Sequence, residues 1–192
     1  MVAKQEKIIV SLMRRRGADL ALTTVLGLLV GGCAELKTPT GEKLSLRGYD
    51  SVIIGSVETD PGLSQPMPVL VEHLRSRLRQ ELSKKSNSFL TLQEAGARGV
   101  GLTKSIELHV RLTEAAVHPF AERILHGFSS SAKCIVTVRD PGADVDLGST
   151  EVAISNRNRD TIFDATDVDA EMRRAAMKLA EAIVDVLERA KR

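Results

Sequence analysis

Four leucines, Leu70, Leu74, Leu78 and Leu82, recur every fourth residue between Pro68 and about Lys85, with Val71 beside them. Arg75, Arg77, Arg79 and Glu81 fall elsewhere on the circumference, so the pattern predicts an amphipathic helix with one aliphatic stripe. A second helical pattern begins at Thr166 or Asp167, where Thr166 and Asp169 approximate a capping box. Met172, Ala175, Leu179, Ile183, Val186 and Ala190 form its stripe. Its acids (Asp167, Asp169, Glu171) lead and its bases (Arg189, Lys191, Arg192) trail, as the helix dipole favours.

Between and before these helices the period changes from about four to two. Ile106, Leu108, Val110 and Leu112 alternate with Glu107, His109, Arg111 and Thr113, predicting a strand from Ile106 to Val117 with one core face and one wet face. Ala132 to Arg139 repeats the alternation, and Val152 and Ile154 mark a further short strand. Those three are expected to form an antiparallel meander. Tyr49 to Glu58 is a strand whose Val52-Ile53-Ile54 run suggests burial on both faces near the middle of a sheet. Phe89 to Leu92 is a short strand expected to run parallel to it after a right-handed crossover. Asp60-Pro61-Gly62 and Asp140-Pro141-Gly142 are turns, and residues 95 to 103 are a glycine-rich connection. The order is β-α-β-β-β-β-α. One-sided helices with half-polar strands imply an α+β two-layer sandwich: a mixed sheet of about five strands, both helices on one face and the other face open.

The N-terminal stretch follows a different logic. Lys4, Lys7, Arg14, Arg15 and Arg16 precede an apolar run from Leu20 to Val30, then Gly31, Gly32 and Cys33. This is the order of an export signal. The run of about 11 residues is short of the ~20 that a spanning helix needs. Val30-Gly31-Gly32-Cys33 resembles the bacterial lipobox, in which small residues let the backbone fit a protease cleft and the cysteine becomes acylated and N-terminal. Residues 1–32 are therefore expected to be a lipoprotein signal peptide, Cys33 the lipidation (palmitate) site, and Met13 an alternative start. Ala34 rather than Asp after the cysteine points, by analogy with enteric sorting, to the outer membrane facing the periplasm. Residues 33–48, with Pro39 and Gly41, read as a lipidated N-terminus and linker reaching at most ~50 Å, and residues 49–192 as the periplasmic domain.

Composition narrows the function. The full chain of 192 residues has a formal net charge of +2, but the leader holds five basic and two acidic side chains. Its removal leaves 22 basic against 23 acidic groups, a charge of −1, so no basicity remains to argue for nucleic acid. Aromatic residues are only 3%, too few for base stacking. Cys33 and Cys134 are the only cysteines, and acylation of the first leaves no intramolecular disulfide. Cys134 falls on the apolar face of its strand and reads as an inert core residue.

No catalytic signature stands out. Lys104-Ser105 after Gly99 and Gly101 lacks the glycines of a phosphate loop and leads into a strand, where no helix N-terminus is available. Metal-ligand spacing, C-x-x-C and G-x-S-x-G are absent, so no cofactor, metal or catalytic residue is assigned. His109 beside Glu107 and Arg111 could be a general base oriented by a carboxylate, or simply part of solvated cross-strand pairing. His73 is expected at the surface of the first helix. His118 and His126 bracket a long, partly apolar connection, 118–130, in which Phe120, Ile124 and Phe128 repeat every four residues. These three, with His109 and Arg111, are the candidate partner-binding residues.

The order of features also carries a resemblance: the lipobox, a short linker, Tyr49 with Val52-Ile53-Ile54, a helix, Arg123-x-Leu125-x-Gly127-Phe128, Asp140-x-Gly142 and a closing helix. Together these resemble a family of uncharacterised bacterial lipoproteins, with Ser129-Ser130-Ser131 where that family commonly has glycines. The resemblance implies a place in the cell envelope and a single small α/β domain, without an enzymatic activity. More remotely the domain is similar to lipoproteins that activate peptidoglycan synthases, which usually need a longer linker than the fifteen residues 34–48. The expected function is a lipid-anchored, non-catalytic envelope protein that binds another envelope component through its open sheet face or the 118–130 connection. The alternative is a small periplasmic hydrolase or ligand-binding protein using His109, Glu107 and Arg111.

Overall fold

The four-residue leucine repeat lands entirely on one side of helix α1 (Pro68–Lys85), where Leu70, Leu74, Leu78 and Leu82 are buried. The computed structural model describes residues 35–63, 67–85, 90–93, 104–117, 130–156 and 168–192. Its strands are β1 (Ser51–Thr59), β2 (Thr91–Gln93), β3 (Ser105–Val117), β4 (Ser130–Asp140) and β5 (Val145–Asn156), and helix α2 spans Val168–Lys191. The sheet order is β2-β1-β3-β4-β5. β1 runs parallel to both β2 and β3, while β3, β4 and β5 form the expected antiparallel meander. This is the anticipated α+β architecture of two helices on a mixed, open five-stranded sheet.

One cluster holds the core. Val52, Ile54 and Val57 of β1, Ile106 to Leu112 at alternate positions of β3, and Ala132, Cys134, Val136 and Val138 of β4 pack with the leucines of α1 and with Leu179, Ile183 and Leu187 of α2. Both helices therefore cover the same face. His73 meets Asp169 near one end of the helix pair, and Lys85 meets Asp185 and Glu188 near the other, so α1 and α2 run side by side in the same direction. His73 is thus an inter-helix contact and not a plain surface residue. Asp169 accepts from His73 and pairs with Arg173, and these two partners hold its carboxyl below the usual carboxylate range. Thr166, the other half of the expected capping box, lies outside the described residues.

Cys134 is fully buried, and burial, with Glu151 nearby, pushes its thiol up to about 12. A thiol with so little thiolate is a poor nucleophile, which fits its core role.

Two boundaries differ from expectation. β5 is legible in the sequence only at Val152 and Ile154 but extends to twelve residues, because an irregularity between Val138 and Arg139 in the β4–β5 ladder shifts the alternation at Asp146 to Gly148. The larger difference is at the segment expected to be a linker. From Glu35 onward it is folded onto the domain: Leu36 and Leu46 are 1% and 0% exposed, and Leu44 is also buried. Thr38-Pro39-Thr40-Gly41 closes a miniature hairpin. The Gly41 N–H donates to the Thr38 carbonyl, Gly41 follows with φ +87°, and the Leu44 N–H donates to the Leu36 carbonyl. A turn with proline in its second position followed by a left-handed glycine is a recurrent hairpin closure.

That hairpin docks on the edge of β5. The Lys37 N–H donates to the Ser149 carbonyl at 3.0 Å and the Ser149 N–H returns a bond to the Lys37 carbonyl at 2.8 Å. Beyond it the Leu46 N–H donates to the Ala190 carbonyl at 2.7 Å, and Arg47 Nε to the main-chain oxygen of Arg192 at 2.8 Å. These bonds satisfy carbonyls at the C-terminal end of α2, which have no partner within the helix. The domain thus begins about fourteen residues earlier than the polarity of this stretch suggested.

At the β4–β5 turn the Asp140 carboxylate accepts from the Ala143 and Gly142 N–H groups and from the Tyr49 hydroxyl. The Ala143 N–H leads the lowering of its pKa, followed by Tyr49, Gly142 and the charge of Lys104, against an opposing effect of partial burial. A depressed carboxylate contributes stability that is present above its unfolded value of about 3.9 and is lost as pH falls through the lower folded value. Asp140→Asn is therefore expected to lower stability at pH 7 and to flatten the acid limb of a denaturation profile below about pH 4. An acid limb unchanged by the substitution would contradict this.

Candidate functional site

The face of the sheet away from the helices carries the other half of each alternation. Glu107, His109 and Arg111 of β3 lie on it together, as the sequence predicted, and they stand opposite Arg139, Thr137 and Ile135 of β4. Arg139 in turn faces Asp146 of β5. Charges of both signs alternate across this surface: Arg111 Nε is 3.5 Å from Asp60, Arg139 is 2.6 Å from Asp144, and Lys133 is 2.8 Å from Glu114. Such half-exposed pairs add little stability individually, but they make the face polar and mixed in sign.

A break in the β1–β3 register shapes the centre. Ile54 pairs with Leu108 and Val57 with Val110, so Gly55 and Ser56 together oppose the single residue His109. This bulge turns Ser56 onto the open face, where its Oγ lies 3.0 Å from His109 Nδ1. The trio closes tightly over Gly55: a Cβ there would lie 2.6 Å from Glu107 Oε1 and 2.7 Å from His109 Cε1, so these side chains would have to shift to admit one. His109 Nε2 is buried without a hydrogen-bond partner; Glu107 Oε2 stands 3.5 Å away, within ion-pair range but without hydrogen-bond geometry. Ser56 Oγ and His109 Nδ1 share one hydrogen bond, and Nε2 is the ring nitrogen that faces Glu107.

Beside this trio lies a groove of about 340 Å³, bounded by Ser56, Glu58, Arg111, Thr137, Arg139 and Asp146, with His109 in its wall. It offers hydroxyls, two guanidiniums and two carboxylates. Of the trio, Ser56 is the member that sequence reasoning missed. Among the described residues no group of three His, Cys, Asp or Glu is placed to hold a metal ion, and no described helix is long and apolar enough to cross a membrane. The remaining candidates, Cys33, Phe120, Ile124 and Phe128, with His118 and His126, lie outside the described residues.

No protein-family model and no curated protein matches the sequence. Solved structures do. A dodecamer of a single-substitution variant of PelC from Paraburkholderia phytofirmans aligns over 84% of this chain and all of its own, with 13% identity and a TM-score of 0.52. A second PelC dodecamer from the same organism covers 77% of this chain and 92% of its own at 11% identity and a TM-score of 0.46. A DUF330 protein from Xanthomonas campestris covers 80% and 91%, at 11% identity and a TM-score of 0.48. At such identities the first of these speaks for a shared fold.

Proposed function

We propose that this chain is a lipid-anchored protein of the bacterial cell envelope, held through Cys33 at the outer membrane on its periplasmic side, and that it acts by binding through the open face of its sheet. The observation that carries the binding half is that face itself: both described helices cover the same side of the sheet, and among the described residues the other side holds a polar groove set around a bulge. The anchoring half rests on the lipobox-like Val30-Gly31-Gly32-Cys33 after a basic and apolar leader. The occupant we assign to the face is a second copy of the chain. Its interleaved charges are able to complement themselves across a contact between identical subunits, and the similarly folded PelC protein is a dodecamer.

The test is the mass of the full-length, host-matured protein in detergent. A multimer at micromolar concentration is expected, with Arg111→Glu, which replaces a half-exposed cation, shifting it to monomers. A wild-type protein that stays monomeric would contradict the assignment.

One contact favours a second reading. Ser56 Oγ, His109 Nδ1 and the Glu107 carboxylate have the order of nucleophile, base and orienting acid, which suits acyl transfer. A fluorophosphonate probe that labels the wild-type protein but not Ser56→Ala would establish that reading, and no labelling would remove it.

A further inference from the structure

The hairpin places the start of the fold almost at the anchor. Leu36 is already buried in the core and Lys37 is bonded to the β5 edge. Residues 33 to 36 span at most about 10 Å when fully extended. A domain acylated at Cys33 has no freedom to swing away from its bilayer; only the surface around Leu36 is able to face it.

What lies there is the end of the domain formed by residues 35–50 and the last turn of α2, joined by the Leu46–Ala190 and Arg47–Arg192 bonds and by the contact of Lys191 with the Tyr49 carbonyl. This end carries six basic side chains, Lys37, Lys43, Arg47, Arg189, Lys191 and Arg192, against four acidic ones, Glu35, Glu42, Asp50 and Glu188. The excess is notable because the chain from Cys33 onward is slightly acidic as a whole. Lys37, Lys43 and Arg47 are exposed. Basic groups beside an acyl anchor act as a second membrane signal.

We propose that this hairpin end docks against anionic phospholipid headgroups, so that the short tether and the basic surface fix the domain's orientation on the membrane. The proposal rests on the reading that Cys33 is acylated. The opposite end of α2 is then held away: a 24-residue helix is about 36 Å long.

The test uses full-length protein matured in a Gram-negative host and reconstituted into vesicles of phosphatidylethanolamine and phosphatidylglycerol that carry a headgroup-linked quencher lipid. A fluorophore is attached to Lys43→Cys or to Val168→Cys, each an exposed position; Cys134 is buried and does not compete. Quenching at residue 43 is expected to exceed that at residue 168 several-fold, and a twenty-residue Gly-Ser insertion between Ala34 and Glu35 is expected to remove the difference. Equal quenching without the insertion, or a difference that survives it, would overturn the tether-imposed orientation while leaving anchoring intact. Protein that does not float with vesicles and carries no acyl mass would overturn the anchor and the orientation together.

Discussion

Replacing Leu46 by alanine is expected to destabilise the domain by about 2–5 kcal/mol, the usual cost of emptying a fully buried leucine site. The position lies in a stretch so polar, with Glu42, Lys43, Ser45 and Arg47 around it, that sequence reading makes it a linker. In a linker the same change would fall within about 0.5 kcal/mol of zero. Urea denaturation of the mature protein separates the two cases: the midpoint is expected to drop with little change in slope. The effect is amplified by geometry, because the Leu46 N–H also bonds the Ala190 carbonyl, so loosening residue 46 weakens the closure of α2. An unchanged midpoint would mean that the segment does not belong to the fold in solution.

Gly148→Ala is the second large effect. A Cβ at residue 148 would lie 2.4 Å from the Lys37 carbonyl oxygen and 2.9 Å from its carbon, and these are backbone atoms that cannot rotate away. The hairpin must move off the β5 edge or β5 must bend. Overpacking of this kind costs about 1–3 kcal/mol. The expected signature is local: the Lys37 and Ser149 amides, which bond each other's carbonyls, should exchange with solvent much faster, while the amides between β3 and β4 stay protected. Uniform loss of protection, or none, would contradict a docking contact at that glycine.

The helices and the meander were legible because each buries one face only, and a single stripe of leucines or a strict alternation reports such burial directly. The parts that escaped share a physical reason. In the hairpin 36–44 burial is carried by just two leucines, and no periodicity emerges from two residues. The turn chemistry of Pro39 and Gly41 was visible, but the same residue types also mark linkers. Ser56 was missed for a related reason. The inward residues Ile54 and Val57 are three apart where a regular strand requires two or four, and that extra residue was the trace of the bulge. Read strictly, the broken alternation would have placed Gly55-Ser56 against a neighbouring strand; which neighbour it was, and that His109 stood there, depends on a pairing between segments about fifty residues apart. His73 escaped because its partner Asp169 belongs to the other helix.

On the proposed reading, the open face and the anchored end are two surfaces with different tasks. The groove around Ser56, His109, Arg111 and Arg139 lies on the sheet, whereas the hairpin and the last turn of α2 form one end of the domain. On that reading, a domain held close to a bilayer by its end would keep the sheet face free for a second copy, and packing the segment after Glu35 into the core would limit how far the copies tumble relative to one another.

The proposed anchor, orientation and meeting of copies on the membrane all depend on the chemistry at one cysteine. The most direct measurement is the intact mass of the protein recovered from the membrane fraction of a bacterial host. The expected species is a polypeptide that starts at Cys33, heavier by its acyl groups, with no form retaining residues 1–32. A full-length, unacylated chain in the cytosol would contradict it.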